Sequence, residues 1–126
     1  MNGKGRCLCG AVKFEAVEIE TEIHACNCSM CRRWNGSPAL ASTVGSVTFT
    51  GEENIERYPS SEWAERGFCK RCGTNLFYLY KPNTYNMWIG SFDEQPFKLV
   101  GEIYCENKPN GYSFSGDHPR HKELPN

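Results

Sequence analysis

The sequence predicts a mainly β fold, one compact domain with only short helices. Two observations carry this. Short runs rich in Val, Ile, Phe, Tyr and Thr recur along the chain, each bounded by Gly, Pro, Asn or Ser, which is the pattern of strands and tight turns. No long segment sustains apolar side chains at the i, i+3, i+4, i+7 spacing of an amphipathic helix. The length of 126 residues fits a single domain with a modest core.

The strand candidates follow in order. Residues 11–17 alternate, with Val12 and Phe14 on one face. Residues 38–44 and 46–50 are short β-rich runs split by Gly45. Residues 55–58 form another, ended by Pro59. Residues 76–80 are apolar and aromatic throughout, which places them centrally in a sheet. Residues 85–89 alternate and stop at Gly90, and residues 103–106 are a last candidate. Short helices are expected at 29–34 and 61–65. Residues 117–126 are polar and carry two prolines, so they are expected as a loosely held tail after a domain of residues 1–116.

Charge and hydropathy narrow the function. The formal net charge is −1, with acidic and basic residues interspersed. No basic run favours nucleic acid or an anionic membrane surface, so neither is expected as a partner. The first residues hold no apolar stretch of signal-peptide length, and no segment approaches the roughly 20 apolar residues of a spanning helix. The expected compartment is the cytoplasm, where thiols stay reduced. Clustered cysteines in that setting read as metal ligands before they read as disulfides.

The chain has eight cysteines in four places. Cys7 and Cys9 form a C-x-C pair followed by Gly10. Cys26, Cys28 and Cys31 crowd one short segment. Cys69 and Cys72 form a C-x-x-C pair followed by Gly73, and Cys105 stands alone. Residues i and i+2 of a strand point the same way, so a C-x-C pair presents two thiols together. A C-x-x-C turn with Gly after it does the same, because Gly accepts positive φ and lets backbone amides face the sulfurs. Cys7, Cys9, Cys69 and Cys72 therefore make a closed four-thiolate shell, the usual structural zinc site. Iron also suits such a shell, but zinc is the commoner occupant.

The trio Cys26, Cys28 and Cys31 has no second pair to close it. Three protein ligands and one open position are the arrangement of a catalytic zinc. A fourth ligand from His24 or Cys105 would instead make it a second structural site. A redox role for Cys69 and Cys72 lacks the βαβ context that motif needs. Cys105, between Tyr104 and Glu106, reads as a small buried apolar residue.

Three motifs carry a family resemblance: residues 5–14 around Cys7 and Cys9, residues 26–32 around the trio, and residues 68–77 around Cys69 and Cys72. Weaker echoes are Gly51-Glu52 and Gly90-Ser91-Phe92-Asp93. With these the chain resembles the glutathione-dependent formaldehyde-activating family, which includes centromere protein V, over about residues 3–112. The resemblance implies a twisted β-tent type fold of antiparallel sheets with two zincs per chain. It places the structural zinc on Cys7, Cys9, Cys69 and Cys72 and the catalytic zinc on Cys26, Cys28 and Cys31. It also implies carbon–sulfur lyase chemistry, the condensation of formaldehyde with glutathione to S-hydroxymethylglutathione.

The partner expected on this basis is a small-molecule thiol such as glutathione. The chain departs from the family pattern at Asn27 and Glu102, where His is common, and near Tyr112, where Trp is common. These departures leave the metal ligands intact and bear on the substrate. Arg32 and Arg33 can clamp a substrate carboxylate or lie solvated. Trp34 can wall a pocket or fill the core, and His24 can move a proton or hold a structural hydrogen bond. No catalytic acid or base is assigned. The competing reading is a zinc-stabilised binding module without chemistry.

Overall fold

Alternation marks several of the strands, because successive residues of a strand face opposite sides. The computed structural model describes residues 1–125; Asn126, the end of the expected tail, lies outside the described residues. In chain order the elements are β1 (Gly3–Arg6), β2 (Lys13–Val17), β3 (Glu22–Cys26), α1 (Ser29–Asn35), β4 (Ala39–Thr43), β5 (Ser46–Thr50), β6 (Ile55–Tyr58), β7 (Ala64–Cys69), β8 (Asn75–Tyr80), β9 (Thr84–Trp88) and β10 (Lys98–Ile103). Single turns of 3₁₀ helix lie at Glu52–Asn54, Ile89–Ser91 and Cys105–Asn107.

The chain divides into two compact units, one of Met1–Thr21 and Ala41–Phe97, the other of Glu22–Leu40 and the chain from Lys98 onward. In the first unit β2 pairs antiparallel with β1 on one side and β5 on the other. The strands β6, β7, β8 and β9 follow one another as antiparallel neighbours. The last residues of β4 pair with β9. The buried faces meet in one aromatic core. Leu76, Phe77 and Met87 are fully buried there with Val12 and Phe14. The Phe77 ring lies 5.0 Å from Tyr85 and 5.5 Å from Phe49, edge-on or tilted as aromatic pairs prefer. Residues 76–80 are thus central, as their continuous apolar run predicts.

The second unit is smaller. Its strand β3 runs parallel to β10, with Cys26 beside Ile103, and antiparallel to the first residues of β4. Ile23, Ala25 and Ala39 supply its apolar burial. The helix α1 is one short element, capped at its start by Cys28 and ended by Gly36 with φ 72°.

Several expectations need correction. The strands β1, β3 and β7 lack a clear signal: β1 is Gly-Lys-Gly-Arg, and β7 carries Glu65 and Arg66. Arg66 is buried, with its guanidinium over Tyr78, 5.0 Å from the ring centre. The helix expected at 61–65 is a bend running into β7, since Ala64 pairs with Tyr80 and tertiary pairing outweighs a weak local preference. The strand expected at 103–106 ends at Ile103 and extends upstream instead; Tyr104 adopts φ 54° and turns the chain. Residues 119–123 are not loosely held. The N–H of Glu102 donates to Pro119 O at 2.9 Å, and the N–H groups of Tyr104 and Cys105 donate to Glu123 O and His121 O at 3.0 Å. The free edge of β10 offers unpaired amides and carbonyls, and this segment satisfies them.

Truncating the Phe77 ring tests the core. The variant Phe77→Ala should lower unfolding stability by about 3–5 kcal/mol in a denaturant titration, whereas Leu8→Ala, at a side chain 80% exposed, should change it little.

Candidate metal centres

The first cysteine group is built from two matching turns. Cys7 follows the end of β1, and Cys69 ends β7. After each C-x-C or C-x-x-C pair the chain turns on a glycine, Gly10 with φ 80° and Gly73 with φ 81°. Those dihedrals are strained for any side chain, which is why Gly stands at both places. The turns close with Gly10 N–H on Cys7 O at 3.2 Å and Gly73 N–H on Cys69 O at 2.7 Å. A cross-link joins them: Leu8 N–H donates to Thr74 Oγ1 at 3.0 Å.

The sulfurs of Cys7, Cys9, Cys69 and Cys72 all lie within 4.8 Å of one another. Cys7 and Cys9 are 3.6 Å apart, and Cys9 and Cys69 are 3.8 Å apart. A tetrahedral site with metal–sulfur bonds of about 2.3 Å has sulfur–sulfur edges of about 3.8 Å, so the spacing fits a thiophilic cation. The protonation pattern agrees. The Thr74 hydroxyl and backbone amides hold the Cys72 thiol down at about 5. Burial pushes the Cys7 thiol up, but the Val12 amide and neighbouring thiols win and lower it. Cys9 is drawn down by the Ala11 amide, yet burial and the three other sulfurs carry it up to about 11. Four sulfurs this close cannot all ionise alone; a divalent cation removes that conflict.

The second group sits where the chain leaves β3 and enters α1. Cys26 ends β3, Cys28 caps α1, and Cys31 lies in its first turn. Cys28 Sγ accepts from Cys31 N–H at 3.3 Å. The three sulfurs again lie within 4.8 Å of one another, with Cys31 buried and the other two half-buried. The thiols of Cys26 and Cys31 hold the Cys28 thiol far below the usual range, and Cys26 is pushed far up in return. All-sulfur donors at this spacing suit zinc, as in the first group.

The structure therefore gathers seven of the eight cysteines into the two groups the spacing predicts. His24 and Cys105 do not join the trio's sulfur cluster. His24 is exposed on β3, opposite Gly101. Cys105 is half-buried, its Sγ 3.8 Å from Asn27 Nδ2, and burial raises its thiol. Arg32 is half-buried and Arg33 exposed on α1, while Trp34 is half-buried. Two features escape spacing rules. One is Thr74, which serves both turns of the first group. The other is Glu102, buried beside Asn27, His118 and Arg120. The signal for Glu102 is a lone acid between Gly101 and Ile103 in an otherwise apolar run.

A mainly β chain with one four-thiol and one three-thiol group defines a class of small cysteine-centred β proteins able to hold two metal ions. The family model of the glutathione-dependent formaldehyde-activating enzyme matches residues 2–107, and the chain belongs to that family. It is 34% identical over 117 residues to an uncharacterised lyase of Schizosaccharomyces pombe, covering 89% of this chain and 85% of that one. It is 27% identical over 122 residues to a Halomonas elongata protein provisionally named a glutathione-dependent formaldehyde-activating enzyme, covering 85% and 77% of the two chains. A solved protein of Rhodobacter sphaeroides superposes with a TM-score of 0.59 at 25% identity, over 93% of this chain and 98% of that one. Among the described residues no helix is long and apolar enough to cross a membrane.

Replacing Cys69 by Ser should remove metal from the first group and lower stability by more than about 4 kcal/mol, the range reached when a metal is lost; elemental analysis and thermal melting check both. A pH effect follows from Glu102. Burial opposes its charge, but His118, Asn27 and Arg120 hold its carboxyl below the usual value. Its stabilisation is complete above the unfolded-state value of about 4.5 and is lost as pH falls through the lower folded value. The melting-temperature gap between the parent chain and Glu102→Gln should therefore be constant above about pH 5 and close as pH falls below about 4.

Proposed function

We propose that this protein is a zinc-dependent carbon–sulfur lyase acting on a thiol–aldehyde adduct of the S-hydroxymethylglutathione kind. The observation that carries this reading is the asymmetry between the two groups: four sulfurs complete a tetrahedron, and three leave one position for a substrate. On this reading Cys7, Cys9, Cys69 and Cys72 hold a structural zinc, and Cys26, Cys28 and Cys31 hold the reactive one. The named relatives, a lyase and a formaldehyde-activating enzyme, support the same reaction class.

The reaction joins the sulfur of a thiol to the carbon of an aldehyde. The carbonyl electron pair moves to oxygen, and the proton given up by the thiol ends there as the hydroxyl. In reverse, the carbon–sulfur bond breaks and the aldehyde leaves. Zinc, when bound, supplies positive charge that favours the substrate thiol in its ionised form. The protein's residues set the rest. Three cysteine charges on one side temper that positive charge, which suits sulfur chemistry better than activation of water. The neighbouring thiols of Cys26 and Cys31, helped by the backbone amides of Cys31 and Met30, hold the Cys28 thiol well below its usual range. On this reading Arg32, half-buried on α1 next to Cys31, would meet a carboxylate of a peptide thiol such as glutathione, bidentate in the Arg manner. All eight cysteines are free thiols, in keeping with action in a reducing cytoplasm.

The test combines metal content with turnover. Purified protein should carry about two zincs per chain, and NMR should show it speeding exchange between formaldehyde, glutathione and their adduct. Cys28→Ser should keep the melting transition of the first unit and cut exchange by more than about 100-fold, beyond the usual loss for a residue that only supports a ligand. Two zincs with no acceleration for any small thiol would favour the binding module.

A further inference from the structure

The second unit holds a buried polar cluster that the metal ligands do not account for. Glu102, in β10, is 1% exposed. Its Oε2 accepts from His118 Nε2 at 2.7 Å and forms an ion pair with Arg120, whose Nε lies 3.1 Å away. Its Oε1 accepts from Asn27 Nδ2 at 3.4 Å. A buried carboxylate with no such donors would be strongly unfavourable, so this set of partners is what allows it to stand there.

Asn27 is the residue between Cys26 and Cys28, and it too is 1% exposed. Its backbone N–H donates to Ile103 O at 3.0 Å, and its Nδ2 reaches the same oxygen at 3.2 Å. The amide can face only one way. Reversed, its oxygen would oppose the Glu102 carboxylate and the Ile103 carbonyl. In the observed orientation Oδ1 is buried with no donor among the described residues, and the fold accepts that to keep Nδ2 on Glu102.

The C-terminal segment completes the chain of contacts. Besides its ion pair, Arg120 donates to Phe114 O at 2.7 Å and Gly116 O at 3.1 Å. The backbone of Glu102 pairs with Pro119 O and with His121 N–H, each at 2.9 Å. Glu102 is thus gripped from one side by residues 118–121 and grips Asn27 on the other.

We infer that Glu102 is a positioning residue for the cysteine trio, and that residues 118–121 are the clasp that holds it in place. The inference rests on reading the trio as a metal site. Cys26 and Cys28 flank a junction between strand and helix, where neither element alone fixes the angle between their sulfurs. Asn27, tied to β10 by backbone and side chain, removes that freedom before a metal binds. A site with three protein ligands depends more on such preorganisation than one with four. Spacing alone does not reveal this, because the clasp is more than ninety residues from the trio's first cysteine.

The test is cobalt titration of the full chain, followed by its thiolate absorption bands under competition from a chelator. Cys28→Ser identifies the signal that belongs to the trio. Glu102→Gln, equal in size and without the charge, should weaken cobalt binding at the trio by about 10–100-fold and leave the four-cysteine site unchanged. Asn27→Ala should weaken it similarly, and the double variant should be no weaker than the worse single one, since both act through one route. Should Glu102→Gln not fold, Arg120→Ala, at a side chain 42% exposed, carries the same comparison with a smaller loss. Parental affinity at the trio in these variants, or equal weakening at both sites, overturns the inference alone. A trio that takes no cobalt in the parent chain overturns the metal reading and this inference together.

Discussion

Crowding of sulfur is the constraint on which most of this structure depends. Cys9 and Cys69 are 60 residues apart in sequence, yet their sulfurs lie 3.8 Å apart. That closure fastens β1 to the end of β7 and sets the two glycine turns facing each other. Thiols held at this distance share protons unevenly, with Cys72 and Cys7 pushed toward thiolate and Cys9 away from it. A cation held there would let all four take the charged state together, which would couple its binding to folding.

The two units reach stability by different means. The first rests on an aromatic core, with Phe14, Phe77 and Phe92 in edge-on contacts around β2 and β8. Its four-thiol group sits against that core through the buried Cys7 and Cys69. The second has few apolar side chains, and its largest fully buried ones are Glu102 and Asn27. Polar contacts there do the work that packing does in the first unit, and they are directional. Such contacts specify geometry more tightly than apolar burial.

Membership of the glutathione-dependent formaldehyde-activating family and the proposed chemistry meet at α1. One short helix brings Cys31 into the trio, Cys28 to its cap, and Arg32 to the adjoining surface. The start of this helix, with the end of β3 before it, therefore carries all three sulfurs of the second group. The departure at Asn27 takes on meaning in this setting. The amide supplies donors to Glu102 and Ile103 that link the trio to β10.

The sequence by itself determined the cysteine pairing, the β class and the strands with clear alternation, because these depend on local spacing. Cys-x-Cys and Cys-x-x-Cys turns place their thiols together whatever surrounds them, and β5 and β6 lie where their β-rich runs predict. Only the tertiary structure decided the strands without such a pattern. β1 is a strand because β2 offers it an edge, and β7 because β6 and β8 lie on either side. The same holds for the C-terminal segment and for Glu102. A polar stretch reads as a tail until a strand edge with free amides meets it, and a charged residue reads as solvated until distant donors enclose it. Both depend on contacts between segments far apart in the chain, which no local pattern records.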